Sequence, residues 1–303
     1  WNQTIYLYPD AQGSIIQGTT VIKRSSNGGY IVGAENTIVR CNYFELTYDG
    51  QALISDPGSS SGLSPQTDNI MIGGPNVSDT NYFGRTLYIH IADDVTVQNN
   101  AFGYSSDLTT FLGPTGIANS YQSSPPTNRL KVINNILQSI SIGASEDLLV
   151  QGNKIGVNPD VTATTEMGLV SIRDIEGLTF GGPNIEDRNY IGSSNHYLGT
   201  IDMGHAYTVS DALIENNYFG VRADGTGTLD GIGPESNSSL SINVHTNAIV
   251  RNNVLNAISL GYNGATIGSD VTVENNKIGV LPDGVTPMVN RHGQPVKVHG
   301  ITD

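Results

Sequence analysis

An all-β fold, a single-stranded right-handed parallel β-helix (a β-solenoid with loop insertions), is predicted by three observations. A short phrase recurs along the chain, longer blocks recur around it, and helical periodicity is missing. The phrase is an alternating apolar strand that runs into Asn-Asn or Gly-Asn and then into an aliphatic or aromatic residue. It reads Val95-Thr96-Val97-Gln98-Asn99-Asn100-Ala101-Phe102-Gly103 and returns around Asn135, Asn153, Asn217, Asn253 and Asn276. A weaker copy ends in Cys41-Asn42-Tyr43-Phe44. Recurrence of this kind specifies the architecture ahead of local propensity.

Each element of the phrase has a physical role. Alternating Val, Thr and Ile residues point to opposite faces of an extended strand. Asn tolerates left-handed backbone angles, so the Asn pair marks a sharp bend. A single coil cannot bury its apolar row alone; it does so by lying on its neighbours. Strands stacked about 4.8 Å apart bring equivalent Asn amides within bonding reach. The sequence therefore predicts a ladder of Asn42, Asn100, Asn135, Asn153, Asn217, Asn253 and Asn276, with the following Ile, Leu or Phe stacked inside.

The phrases also fall into a longer register. Asn100 to Asn217 is 117 residues, Asn135 to Asn253 is 118 and Asn153 to Asn276 is 123. Flanking segments agree: Ile72-Gly73-Gly74-Pro75-Asn76 with Asn81-Tyr82-Phe83-Gly84 matches Phe180-Gly181-Gly182-Pro183-Asn184 with Asn189-Tyr190-Ile191-Gly192. The expected organisation is one β-helix domain over 1–303, with a partial unit at about 31–53 and two long units at about 70–165 and 178–290. A propeller would need regular blade lengths, and a sandwich would not explain near-identical phrases.

Composition narrows the function classes. The formal net charge is −14 and charged residues are only 14%. An acidic chain lacks the basic footprint that nucleic-acid phosphates demand. No stretch has transmembrane length, so no membrane insertion is expected. The single cysteine, Cys41, falls in a phrase position read as inward-facing, a small core residue with no His nearby in sequence to serve as its base.

The residues 72–84, Asn153-Lys154-Ile155-Gly156-Val157-Asn158-Pro159-Asp160 and, above all, Asn217-Tyr218-Phe219-Gly220-Val221-Arg222-Ala223-Asp224-Gly225-Thr226-Gly227 resemble the repeats of secreted right-handed parallel β-helix proteins of the pectin-lyase-like class. The resemblance covers most of residues 30–290. It implies a secreted, extracellular or cell-surface location. It does not select an activity, because that class spans polysaccharide lyases, glycoside hydrolases, uronan epimerases, tailspikes, adhesins and surface-layer proteins.

A catalytic site on a repeat protein should show as a break in the repeat. From Gly84 to Asn100 is 16 residues, but from Gly192 to Asn217 is 25. The added segment carries His196, Asp202, His205 and Tyr207. Lyase or epimerase chemistry needs a base, an acid and a cation that neutralises the substrate carboxylate. On that reading His205 or Tyr207 is base or acid, Asp202 orients His205, and Arg173 with Asp174 lies on the same face. A His- and Tyr-rich surface loop is equally the product of an ordinary insertion, and this is the reading preferred here. Asp230 and Glu235 are further candidates for a carboxylate pair. The signatures of pectate lyases, alginate epimerases and polygalacturonases are missing; Asp93-Asp94 has its repeat counterpart in Ser210-Asp211 and is assigned to a turn.

The loops at Asn158-Pro159-Asp160, Ala223-Asp224-Gly225 and Pro282-Asp283-Gly284 offer one carboxylate each. A dedicated Ca2+ site needs about six to eight oxygens, so these are read as tight turns and no cofactor or metal is expected. The functional expectation is an extracellular structural or adhesive β-helix: a fibre, sheath, surface layer or stalk. Its expected partners are a polysaccharide or glycan, or further copies of itself stacked end to end on open strand edges. A polysaccharide-active enzyme is the alternative.

Overall fold

The computed structural model describes residues 4–21, 29–54, 63–90, 92–119, 127–165, 168–192, 201–203, 209–230, 239–242, 244–260, 269–288 and 296–298. They form parallel strands, three 3-10 turns and no α-helix. The chain divides into two units, Trp1–Leu137 and Gln138–Asp303.

In the first unit one row of strands runs Ile15–Gln17, Ile38–Arg40, Met71–Gly73, Thr96–Gln98 and Lys131–Ile133, each parallel to the next. A second row runs Thr20–Val21, Tyr43–Phe44, Tyr82–Phe83, Ala101–Phe102 and Ile136–Leu137. The third is made by Thr4–Leu7, Gly29–Val32 and Leu63–Pro65, with Leu87–Ile89 paired to Gly116–Asn119. This is the parallel β-helix that the recurring phrase predicts: each coil contributes one strand to each row, and each phrase supplies two of the strands.

The second unit repeats the plan. Two long strands, Ser139–Gln151 and Leu169–Gly181, pair over ten residue positions. Later coils split the same path into Ile201–Met203 with Val209–Glu215, then Ser239–Ile242 with Val244–Arg251, then Ala257–Leu260 with Ser269–Glu274. The short row is Lys154–Ile155, Tyr190–Ile191, Tyr218–Phe219, Val254–Leu255 and Lys277–Ile278.

The bend between rows has a fixed chemistry. The residue before the ladder position takes a left-handed backbone at Cys41 (φ 56°), Asn99, Asn134, Asn216, Asn252 and Asn275, and at Gly18 and Gly152. Asn and Gly enter that region at least cost. Cys41 therefore does not face the core as expected. It holds this outward bend slot, is exposed, and its thiol donates to the Ser78 carbonyl at 2.9 Å. Two coils arrive at the ladder differently. Gly73 and Gly181 (φ 88° and 87°) turn the chain where a Cβ would lie 1.8 and 1.9 Å from the carbonyls of Gln98 and Glu215. The 3-10 turns Val77–Asp79 and Ile185–Asp187 follow, each closed by a capping box from Asn76 and Asp79 or from Asn184 and Asp187.

The core is a set of columns. Val39, Ile72, Val97 and Val132 lie in register and are fully buried in the first unit. Phe44, Phe83 and Phe102 stack two residues past their Asn, with centroids 4.7 and 4.6 Å apart and planes within 9°. In the second unit the columns are Val150, Phe180, Ile214 and Val250, and Ile155, Ile191 and Phe219. The interior aromatic or aliphatic residue is thus the second after each Asn; the first faces the other side of its strand.

After each short strand the chain makes a hairpin-like excursion, marked by antiparallel bridges Leu46–Leu53, Tyr104–Phe111, Val157–Thr164, Val221–Thr228 and Val280–Pro287. Asp side chains close these turns. Asp224 accepts from the Thr226 backbone and hydroxyl, Asp283 from the Thr286 hydroxyl and the backbones of Thr286 and Val285, Asp107 from Ser105 and Thr109, and Asp49 from the Thr47 hydroxyl and the Gln51 backbone. In the loop at 158–160 the closing acceptor is Asn158, which bonds the Thr162 and Ala163 backbones. These hydrogen bonds hold the carboxyls of Asp49, Asp107, Asp224 and Asp283 below the usual carboxylate range. A depressed folded pKa gives stabilisation that is present above the unfolded value of about 4 and lost as pH falls through the folded one. Carbon-detected NMR titration of these carboxyls is expected to give midpoints below that of an Asp model peptide; midpoints at or above it would contradict the turn assignment.

Candidate functional site

The ladder is the most ordered polar feature. In the first unit the Asn42, Asn81 and Asn100 side-chain amides each donate to the next Oδ1, at 2.9, 2.9 and 3.1 Å, ending on Asn135. In the second, Asn153, Asn189, Asn217 and Asn253 do the same, ending on Asn276, at 3.1, 2.9, 3.0 and 3.0 Å. Each backbone N–H along these runs also donates to the next Oδ1, as Asn217 does to Asn253 at 2.9 Å, and the amides of Asn42, Asn81, Asn100, Asn135, Asn189, Asn217, Asn253 and Asn276 reach a strand carbonyl of the preceding coil, as Asn217 does to Phe180 at 2.9 Å. Asn42, Asn100 and Asn135 lie in the first of these runs, and Asn153, Asn217, Asn253 and Asn276 in the second. The structure adds Asn81 and Asn189, which the Asn-Asn pattern misses because Thr80 and Arg188 precede them. Their shared Asn-Tyr-(Phe or Ile)-Gly context was the available signal.

Beside the ladder, Arg251 clamps Glu215 through both carboxylate oxygens at 2.9 and 3.1 Å, and the Glu215 side chain is only 5% exposed. Arg188 bonds Asn216 and stands 3.8 Å over the Tyr218 ring. These groups are satisfied within the protein and stiffen the bend.

In each unit one side of the described stack leaves core columns open. Val273 is in register with Val250, Ile214, Phe180 and Val150, all fully buried, yet is 38% exposed. Val296 follows Ile258 and Leu240 in its column and is 50% exposed. In the first unit Ile5 occupies the column that leads to Leu63, which is 3% exposed, yet Ile5 is 46% exposed. The ladder ends match. The Asn276 backbone N–H has no acceptor among the described residues, whereas the equivalent N–H of Asn253 donates to Asn276. In the first unit Thr19 takes the ladder slot and donates to Asn42 through its backbone and its hydroxyl.

A groove of about 530 Å3 crosses the outer face of the second unit. Its floor includes Thr179, Leu213, Ile249 and Thr272, in register on successive coils. One edge is a second left-handed column: Asp147, Gly177, Asp211, Asn247 and Asp270, with φ from 49° to 78°.

The residues proposed for catalysis fall as follows. Arg173 lies in the strand Leu169–Gly181, half-buried, with its Nε donating to the Ser171 hydroxyl at 3.0 Å. Asp202 lies in the strand Ile201–Met203, its backbone paired with Ser171. His205 and Tyr207 lie outside the described residues, as does Glu235. Asp230 is exposed and paired with Arg222 at 2.5 Å. Among the described residues no group of three or more His, Cys, Asp or Glu side chains is placed to hold a metal ion.

No protein-family model, curated protein or solved structure matches this chain. Its fold and surface chemistry therefore stand on its own residues.

Proposed function

We propose that the protein is a structural β-helix that assembles end to end with further copies of itself. The observation that carries this reading is an open stacking surface in each unit, where Ile5 in the first and Val273 and Val296 in the second stand at core positions while 38–50% exposed. Burying an aliphatic side chain fully contributes about 1.5–3 kcal/mol, and a strand edge with unpaired backbone groups is a template for another strand. The Asn276 N–H offers a donor at one end; the Thr19 hydroxyl, which already donates, retains acceptor capacity at the other. In keeping with the resemblance to secreted pectin-lyase-like β-helices, the proposed setting is extracellular, in a fibre, sheath, surface layer or adhesive stalk that contacts glycans.

Sedimentation velocity and electron microscopy test the assembly. The protein is expected to form concentration-dependent end-to-end oligomers, and Val273→Asp with Val296→Asp is expected to return it to the monomer. Tyr48→Asp, on an exposed hairpin, is expected to leave assembly unchanged. A parent protein that stays monomeric at all concentrations, or oligomers indifferent to the valine changes, would overturn the reading.

A further inference from the structure

We infer that the groove on the second unit is a docking site for an extended peptide segment that carries Arg at every third residue. Its base is a floor of apolar and Thr side chains, with Ile249 40% exposed and Leu213 beside it. An apolar strip that water covers gains free energy from any chain that displaces the water. Charge selects the occupant. The lining carries Asp147, Asp211 and Asp270 and no Lys or Arg, and among the described residues none of the three carboxylates has a cationic partner.

The other unit shows what this column accepts. There the corresponding left-handed slots are Asn36, Asn69, Asp94 and Arg129. Arg129 lies across Asp94 with both contacts at 2.7 Å, Nε to Oδ1 and Nη2 to Oδ2, and this fork raises the guanidinium pKa and lowers that of Asp94. A bidentate guanidinium on a left-handed Asp is thus a geometry this fold already realises. Planar, two-point recognition of a carboxylate favours Arg over Lys. In the second unit three of the five slots hold acids, Asp147, Asp211 and Asp270, and among the described residues no guanidinium is paired with them. Asn247 donates to Asp211 at 2.9 Å, which leaves the other carboxylate oxygen of Asp211 for a ligand.

Spacing sets the form of the ligand. The three acids occupy alternate coils, with Gly177 and Asn247 between them. Alternate coils are about 9.6 Å apart at the parallel-strand spacing of about 4.8 Å. A polyproline-type strand repeats every three residues, about 9.3 Å, so Arg at every third position meets successive acids while the residues between lie on the floor. The protein's own excess of acids, 28 against 14 Lys and Arg, disfavours a second copy as the occupant.

The probe is a fluorescent (Arg-Pro-Pro)4 peptide, followed by anisotropy at low and at physiological salt. It is expected to bind in a salt-sensitive manner, and more tightly than a peptide of the same composition with its four Arg contiguous. Asp211→Asn with Asp270→Asn is expected to weaken binding about tenfold, from two surface-type pairs lost together. Asn keeps the left-handed backbone at both positions, so an unchanged melting temperature checks that the fold persists. Asp94→Asn, in the first unit, is expected to leave peptide affinity unchanged. Equal binding to the double variant, preference for the contiguous-Arg peptide, tighter binding of a glucosamine oligomer, or no binding at low salt would each overturn the proposal. Because no readout depends on oligomer formation, it stands or falls apart from the end-to-end assembly.

Discussion

Asn217→Ala is expected to destabilise the second unit by about 4 kcal/mol, measured by urea or thermal unfolding. The Asn217 amide nitrogen bonds Phe180, Glu215 and Asn253, and its Oδ1 accepts from the backbone and side chain of Asn189. Asn217 and Asn189 are fully buried. Truncation strands the Phe180 carbonyl and the Asn189 donors away from water, and each buried group left unsatisfied costs about 1–3 kcal/mol. Asn217→Asp should be at least as damaging, since an acceptor would then face the Phe180 carbonyl and the Asn253 Oδ1. A loss below about 1 kcal/mol for the alanine variant would show that the ladder is incidental to stability.

Phe83→Ala is the second large effect, with an expected loss of about 3–5 kcal/mol in the first unit. Phe83 is sandwiched between Phe44 and Phe102, and all three rings are fully buried. Deleting the middle ring removes two stacked contacts and leaves a gap that rigid parallel strands cannot close. Phe83→Leu is expected to cost no more than about 1.5 kcal/mol, because the same column holds Ile155, Ile191 and Leu255 in the second unit. Thermal unfolding of the pair distinguishes the cases; equal losses for Ala and Leu would place the cost in ring stacking and not in the cavity.

The parts of this structure that repeat were legible in the sequence. The Asn residues at 42, 100, 135, 153, 217, 253 and 276 announced both the bend and the ladder, because one residue type meets two needs there: the bend geometry and amide-to-amide bonding. Asn81 and Asn189 escaped because a 3-10 turn, not a left-handed residue, delivers the chain to those rungs. Cys41 was misplaced for a related reason. Its phrase has Cys where the others have Asn or Gly, and apolar character suggested burial, but the slot's left-handed backbone points the side chain outward. The groove was not legible at all. Asp147, Asp211 and Asp270 are far apart in sequence, and only strand register brings them to one edge. The open columns at Ile5, Val273 and Val296 were hidden for the same cause: only strand register shows which aliphatic residues share a column and which of them lack a covering neighbour.

The amide-to-amide hydrogen bonds of each ladder run one way, from each Asn to the next in chain order. A stack of such coils is therefore a vector, not a symmetric rod. In the proposed assembly the ladder slot offers an unpaired N–H at one tip, at Asn276, and a hydroxyl lone pair at the other, at Thr19. New subunits meet different chemistry at the two tips, so a growing fibre lengthens at two unequal rates and carries the orientation of its first subunit throughout.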